Sequence, residues 1–239
     1  MTARSKSRRN KTPLVVSIVL VVVAIVAIVA VLSTGGDDDD ATPDPTGSVT
    51  TDARGGSPTT DLLPPELVGE VRPVTVEGSP LPPLGNPDDD DAVGLAAPAL
   101  TGEGFDGSVV TTASDGGPVL VVFLAHWCPH CNDEIPRLLE LDAEGRFPDD
   151  LKIVAVSTAV AADRPNFPPS EWLVEKGWHW PAMADEIDFE NGILVGADAF
   201  GVNAFPFITV VGADGTVLGR WSGESEPDEF IAKLDAALA

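Results

Sequence analysis

Cysteine is almost missing from this chain: 239 residues hold two, Cys128 and Cys131. A scaffold stapled by several disulfides is therefore excluded. Basic residues are also scarce, 14 Lys and Arg against 38 Asp and Glu, for a formal charge of −24. Five of the 14 (Arg4, Lys6, Arg8, Arg9, Lys11) fall in the first 11 positions, and every acidic residue comes later. Phosphate binding needs a basic face, so no nucleic-acid partner is expected. Such acidity suits a self-repelling surface outside the cell, or a salty habitat. No internal repeat is visible.

What is present is organised around residues 119–136, VLVVFLAHWCPHCNDEIP. Residues 119–124 are β-prone and apolar, and the residues after Cys131 read as a helix running to about Glu144, bent near Pro136. A buried strand thus delivers Cys-x-x-Cys to the first turn of a helix. Unpaired N–H groups and a partial positive charge gather there. Both favour a thiolate, the nucleophilic form of cysteine. Two sulfurs three positions apart in one turn can close a disulfide with little backbone movement.

The rest of the chain divides by composition. Residues 1–12 form a basic cytoplasmic tail. Within 13–33, the run 14–32 has Ser17 as its single polar residue and spans roughly 28 Å as a helix, about a hydrocarbon core. Basic residues before it and Asp37–Asp40 after it place the N-terminus in the cytoplasm. A cleaved signal peptide is the competing reading. The run is longer than its usual apolar region, and Ala27-Ile28-Val29-Ala30 matches a small-x-small exit only in part. No cysteine near its end supports a lipid anchor. A single-pass membrane anchor is the preferred reading, with the C-terminal domain extracytoplasmic. Residues 34–91 are an acidic Pro/Gly/Thr-rich linker, disordered to about Leu62 and then an irregular arm lying against the domain. The four-aspartate runs 37–40 and 88–91 lack the spaced ligands and turn glycine of a calcium loop and read as solvated linker.

A folded domain is expected over 92–239. Residues 108–112, 151–158 and 180–184 read as strands. Residues 166–177 contain a helix begun by Pro168-Pro169-Ser170 and ended by Gly177. A helix is expected within 191–200. Residues 207–212 and 216–221 form a hairpin through Asp214-Gly215. Phe230, Leu234 and Leu238 mark a closing helix over 227–238. The order predicts an α/β fold, a mixed central sheet flanked by helices on both faces.

Trp127-Cys128-Pro129-His130-Cys131, Phe205-Pro206, the Asp214-Gly215 hairpin and the final helix resemble the thioredoxin superfamily. Gly94-Leu95-Ala96-Ala97-Pro98-Ala99-Leu100, Phe105-Asp106-Gly107 and Cys131-Asn132-Asp133-Glu134-Ile135-Pro136 resemble its membrane-anchored TlpA/ResA-like thiol–disulfide oxidoreductases. The likeness covers about 92–239. It implies a thioredoxin-like fold, a role in cell redox homeostasis with antioxidant activity, and no cofactor beyond a redox-active disulfide, Cys128–Cys131. It makes Pro206 a cis-proline facing that disulfide, with Phe205 offering backbone groups to a substrate. Protein thiols or disulfides would be the substrates. No second cysteine pair exists in the chain, so a separate redox partner must recycle the domain.

Thioredoxins proper carry an acid in the central strand six residues before the first cysteine. Val122 stands there, so Glu134, three residues after Cys131, is the candidate for proton handling. Cys128 should be the exposed nucleophile and Cys131 the buried resolving thiol. An imidazolium at His130 would stabilise the Cys128 thiolate and make the disulfide more oxidising. Cys-Pro-His-Cys resembles DsbA-type oxidants, whereas the domain resembles the reductases, and the sequence leaves the direction open. Trp127 should shield the disulfide, and His126 should be a surface residue. Trp172, Trp178, His179 and Trp180 read as core or lid packing. Outside redox chemistry, a Cys/His metal-binding module would have only His126, His130 and His179 to add to two cysteines, and no metal site is expected. A peroxidase of the peroxiredoxin type would want Thr where Ala125 stands.

Overall fold

In the computed structural model, which describes residues 63–87 and 89–239, the apolar run after Pro118 is the central strand. The basic tail 1–12, the expected anchor 13–33, Asp37–Asp40 and the tether to residue 62 lie outside the described residues. Among the described residues no helix is long and apolar enough to cross a membrane.

The strands in chain order are β1 (Thr75–Glu77), β2 (Ala99–Glu103), β3 (Val109–Thr111), β4 (Val119–Leu124), β5 (Lys152–Ser157), β6 (Ala182–Ala184), β7 (Ile187–Asp188), β8 (Ile193–Leu194), β9 (Phe207–Val211) and β10 (Val217–Ser222). The helices are α1 (Pro129–Ala143), α2 (Pro169–Glu175), α3 (Val195–Ala199) and α4 (Pro227–Leu238). The main sheet has the order β10-β9-β4-β5-β6. β4 runs parallel to β5 and antiparallel to β9, which pairs with β10 as the expected hairpin. The sheet is therefore mixed.

Every side chain of β4 is buried, which is why it reads as a continuous apolar run rather than an alternating one. Its two faces feed two cores. Leu120, Val122 and Leu124 pack with Ile135 and Leu138 of α1, Trp172 of α2 and Phe230 and Leu234 of α4. Val119, Val121 and Phe123 face the other way, against Leu100 of β2, Val110 of β3 and Phe200.

On that second face the structure departs from the expectation of helices on both sides. The main cover is a three-stranded antiparallel sheet, β1-β2-β3, with α3 contributing five residues. The helix expected within 191–200 is short because 193–194 pair with β7 instead. Asp188 accepts the N–H groups of Glu190 and Asn191, a local side-chain turn that competes with helix. α3 then starts where the Asp185 carboxylate accepts the N–H groups of Gly196 and Ala197.

The segment read as linker contributes to the same face. Val74, Leu81 and Leu84 are buried in the second core, and β1 pairs with β2. Asp90, from the aspartate run read as solvated, is buried against Arg220 of β10. Its two carboxylate oxygens accept Nε at 2.8 Å and Nη2 at 2.6 Å. Arg220 Nη1 donates to the carbonyls of Phe200 and Pro82. The arm crosses Gly201 here, whose φ is +67° and where an added Cβ would strike the Pro82 carbonyl. Residues 94–97 then bond to residues 215–217, covering the edge where the hairpin enters β10.

Candidate active site

β4 ends at Leu124, and the backbone turns sharply enough for Cys128 N–H to donate to the Ala125 carbonyl at 3.0 Å. Cys128 is the N-cap of α1 in extended conformation, and Pro129 takes the first helical position, where a missing N–H does no harm. The Cys128 thiol points at the Phe205 carbonyl, 3.5 Å away. The Phe205–Pro206 peptide is cis, as is Phe167–Pro168. Both cysteines are free thiols.

Cys128 is only 6% exposed, less open than the sequence suggests; Trp127 and Phe205, edge to face at 6.1 Å, pack against the core cluster that contains it. Cys131 is completely buried on the inner stripe of α1. Burial pushes its thiol well above the ordinary range; the adjacent Cys128 sulfur and the Glu134 charge push the same way.

Glu134 lies one turn further along that stripe and is also fully buried. Burial raises its carboxyl to about 7, against the Ser225 N–H bond and the nearby Arg137. Oε2 accepts the Ser225 N–H at 2.9 Å, and Arg137 Nη1 stands 3.9 Å away. Oε1 is buried with no hydrogen-bond partner. Val122 fills the position of the missing strand acid and packs in the core beside α1.

His126 is a correction. It is buried, not a surface residue. Nδ1 lies 2.7 Å from the Pro165 carbonyl and so carries the proton; Nε2 accepts the Ala161 N–H at 3.2 Å. Desolvation lowers its pKa, which favours this neutral tautomer. With both nitrogens occupied, His126 ties the loop 159–166 to the turn before Cys128. Trp127 Nε1 bonds the Ala159 carbonyl at 2.8 Å, and Arg164 lies 5.6 Å over its ring.

Asn132, a member of the helix motif to which the sequence gives no role of its own, ties the turn to α2. Its amide donates to the Cys128 carbonyl at 2.9 Å and accepts Trp172 Nε1 at 2.9 Å. Lys176 bonds its backbone carbonyl, the one that Pro136 leaves without a helical donor. Asn166, at φ +62°, donates to the His126 carbonyl at 2.8 Å. No local pattern marks either asparagine, since the partners that give them their roles, Trp172 for Asn132 and His126 for Asn166, lie 40 positions away. Trp172 and Trp178 are core, and Trp178 packs on Trp180.

His130 is the outward member of the motif, its side chain 61% exposed. Nδ1 stands 3.4 Å from Glu224 Oε1. Among the described residues no three His, Cys, Asp or Glu side chains are grouped to hold a metal ion.

Residues 105–238 match the model of a family described as thioredoxin-like domain, over half of the chain. The thiol:disulfide interchange protein CycY of Rhizobium leguminosarum bv. viciae is 35% identical over 130 residues. That match covers 54% of this chain and 63% of CycY, so less than two thirds of the relative's length is spanned. Among solved structures, the thioredoxin domain of a Bacteroides vulgatus thiol–disulfide oxidoreductase is 24% identical, with a TM-score of 0.48 over 62% of this chain and 99% of that one. StoA of Bacillus subtilis is 14% identical, with a TM-score of 0.45 over 57% and 96%.

Proposed function

Since this chain belongs to the thioredoxin-like family, we propose that it is a thiol–disulfide oxidoreductase of the TlpA/ResA-like kind. It exchanges disulfides with protein substrates outside the cytoplasmic membrane. The observation that carries this reading is the placement of the two sulfurs. Cys128 caps α1 and faces the Phe205 carbonyl, while Cys131 is sealed behind it.

In the reducing direction the Cys128 thiolate attacks one sulfur of a client disulfide. The other client sulfur leaves and takes a proton, and a mixed disulfide remains. Cys131 passes its proton to Glu134 and attacks the Cys128 sulfur. The second client thiol departs, and two electrons have moved from the pair to the client. Glu134, near pH 7 in its affinity and on the same stripe as Cys131, suits that proton transfer. The oxidising direction is the reverse sequence, favoured by the Cys-Pro-His-Cys resemblance to DsbA-type oxidants. The reduction potential selects between them, about −120 mV for DsbA against about −270 mV for thioredoxin. A separate redox partner restores the starting form. The apolar run 14–32 supports tethering through 13–33, with the domain outside.

The experiment is to trap the mixed disulfide. A Cys131→Ser variant should accumulate client-linked species through Cys128, resolved by dithiothreitol on a non-reducing gel. Full thiol–disulfide exchange by a Cys128→Ser variant would end this reading. Protease added to intact cells should remove the C-terminal domain from a membrane-bound remnant.

A further inference from the structure

The four residues after β10 touch both walls of the site. Gly223 N–H donates to the Pro206 carbonyl at 2.9 Å. Ser225 N–H donates to Glu134. Glu226 accepts Arg137 Nη2 at 3.0 Å. Between them Glu224 reaches two side chains of α1, His130 Nδ1 at 3.4 Å and Arg137 Nη1 at 3.3 Å. The loop therefore joins the cis-proline side to the helix that carries both cysteines.

We propose that Glu224 is a positioning residue that lowers the reduction potential of the Cys128–Cys131 pair by holding His130 and offsetting its charge. This rests on the oxidoreductase reading above and adds a residue to it. His130 is the one side chain inserted between the two cysteines that can carry a positive charge. An imidazolium there stabilises the Cys128 thiolate, hence the reduced pair, hence a more oxidising disulfide. A carboxylate 3.4 Å from the ring opposes that field and draws the ring toward the loop. Glu224 and His130 are both partly solvent-exposed, so the effect is moderate and weakens with salt. The other charged groups here are Arg137, Glu134 behind it, Glu226, and Lys233, whose Nζ bonds Ser225 Oγ. None of these stands between the cysteines.

The test measures the equilibrium of the full-length chain against glutathione redox buffers. Glu224→Gln should make the pair three- to tenfold more oxidising, about 15 to 30 mV at about 30 mV per tenfold. The change should shrink at high salt, which screens a partly exposed pair. In a His130→Ser background the same substitution should move the equilibrium less than twofold. Glu226→Gln, which alters Arg137 but not His130, should also move it less than twofold. No shift in Glu224→Gln, or a shift undiminished without His130, overturns the proposal. Absence of any reversible dithiol–disulfide equilibrium in the unaltered chain would instead overturn the oxidoreductase reading itself.

Discussion

Glu134 shows how much a single residue depends on what folds around it. Asp or Glu in the first turns of a helix is ordinarily solvated and favoured by the dipole. Here the carboxyl is fully buried, one oxygen bonded to Ser225 N–H and the other without a partner. Burial raises its pKa from 4.5 to about 7. The folded state then binds this proton more tightly than the unfolded chain. The associated stability is fully present below pH 4.5 and is lost as pH rises through 7, on the order of 3 kcal/mol in all. Glu134→Gln keeps an oxygen for Ser225 and removes the ionisation. Urea midpoints of the reduced protein should therefore fall from pH 5 to pH 8 in the unaltered chain relative to the variant. A parallel pH profile in the two would contradict the buried-acid assignment. His126 shifts the opposite way, because burial disfavours its cation. Its contribution is present above its unfolded pKa and declines as pH falls below it.

At the scale of elements, the contact between β10 and the arm is the least replaceable. Arg220 and Asp90 are a buried, doubly bonded pair, and the remaining guanidinium nitrogen is taken by two carbonyls. The Arg220 hydrogen bond holds the Asp90 carboxyl below the usual carboxylate range. Asp90→Ala leaves a buried cation half satisfied and should cost about 3–5 kcal/mol in chemical denaturation. Replacing both, Asp90→Leu with Arg220→Met, should cost markedly less than that single change, since no charge is left stranded. Equal losses would mean that the ion pair is not what fastens the arm. Helix α1 is anchored differently, by a stripe of Cys131, Ile135, Leu138 and Leu141 set into the core. Its outer face carries Pro136, and the freed Asn132 carbonyl is met by Lys176 from beyond α2.

For the whole molecule, the arm decides where the domain begins. Val74, Leu81 and Leu84 share a core with Phe123, Phe200 and Leu100. Leu67 and Val71 pack beside Val160 and Phe167, next to the loop that His126 holds. A chain starting at Ala92 would expose one face of the central sheet and lose the Asp90 clamp. It should express insoluble or bind a hydrophobic dye without cooperative unfolding, whereas a chain starting at residue 63 should unfold in one transition. A soluble, cooperative fragment from Ala92 would show that the second face is held without the arm.

The reactive turn was legible in the sequence because it is local: β4, Cys-Pro-His-Cys and the start of α1 are contiguous, and so are the Asp214-Gly215 hairpin and α4. Strand period, turn residues and helix spacing act over a few positions, so the local order of residues determined them. Tertiary structure decided which of those residues lose water. It buried Glu134 and His126, brought Glu224 to His130 across 94 positions of chain, and turned Asp90 from a solvated residue into half of an internal ion pair. Desolvation and long-range pairing depend on neighbours that arrive from elsewhere in the chain, and no short stretch of residues encodes them.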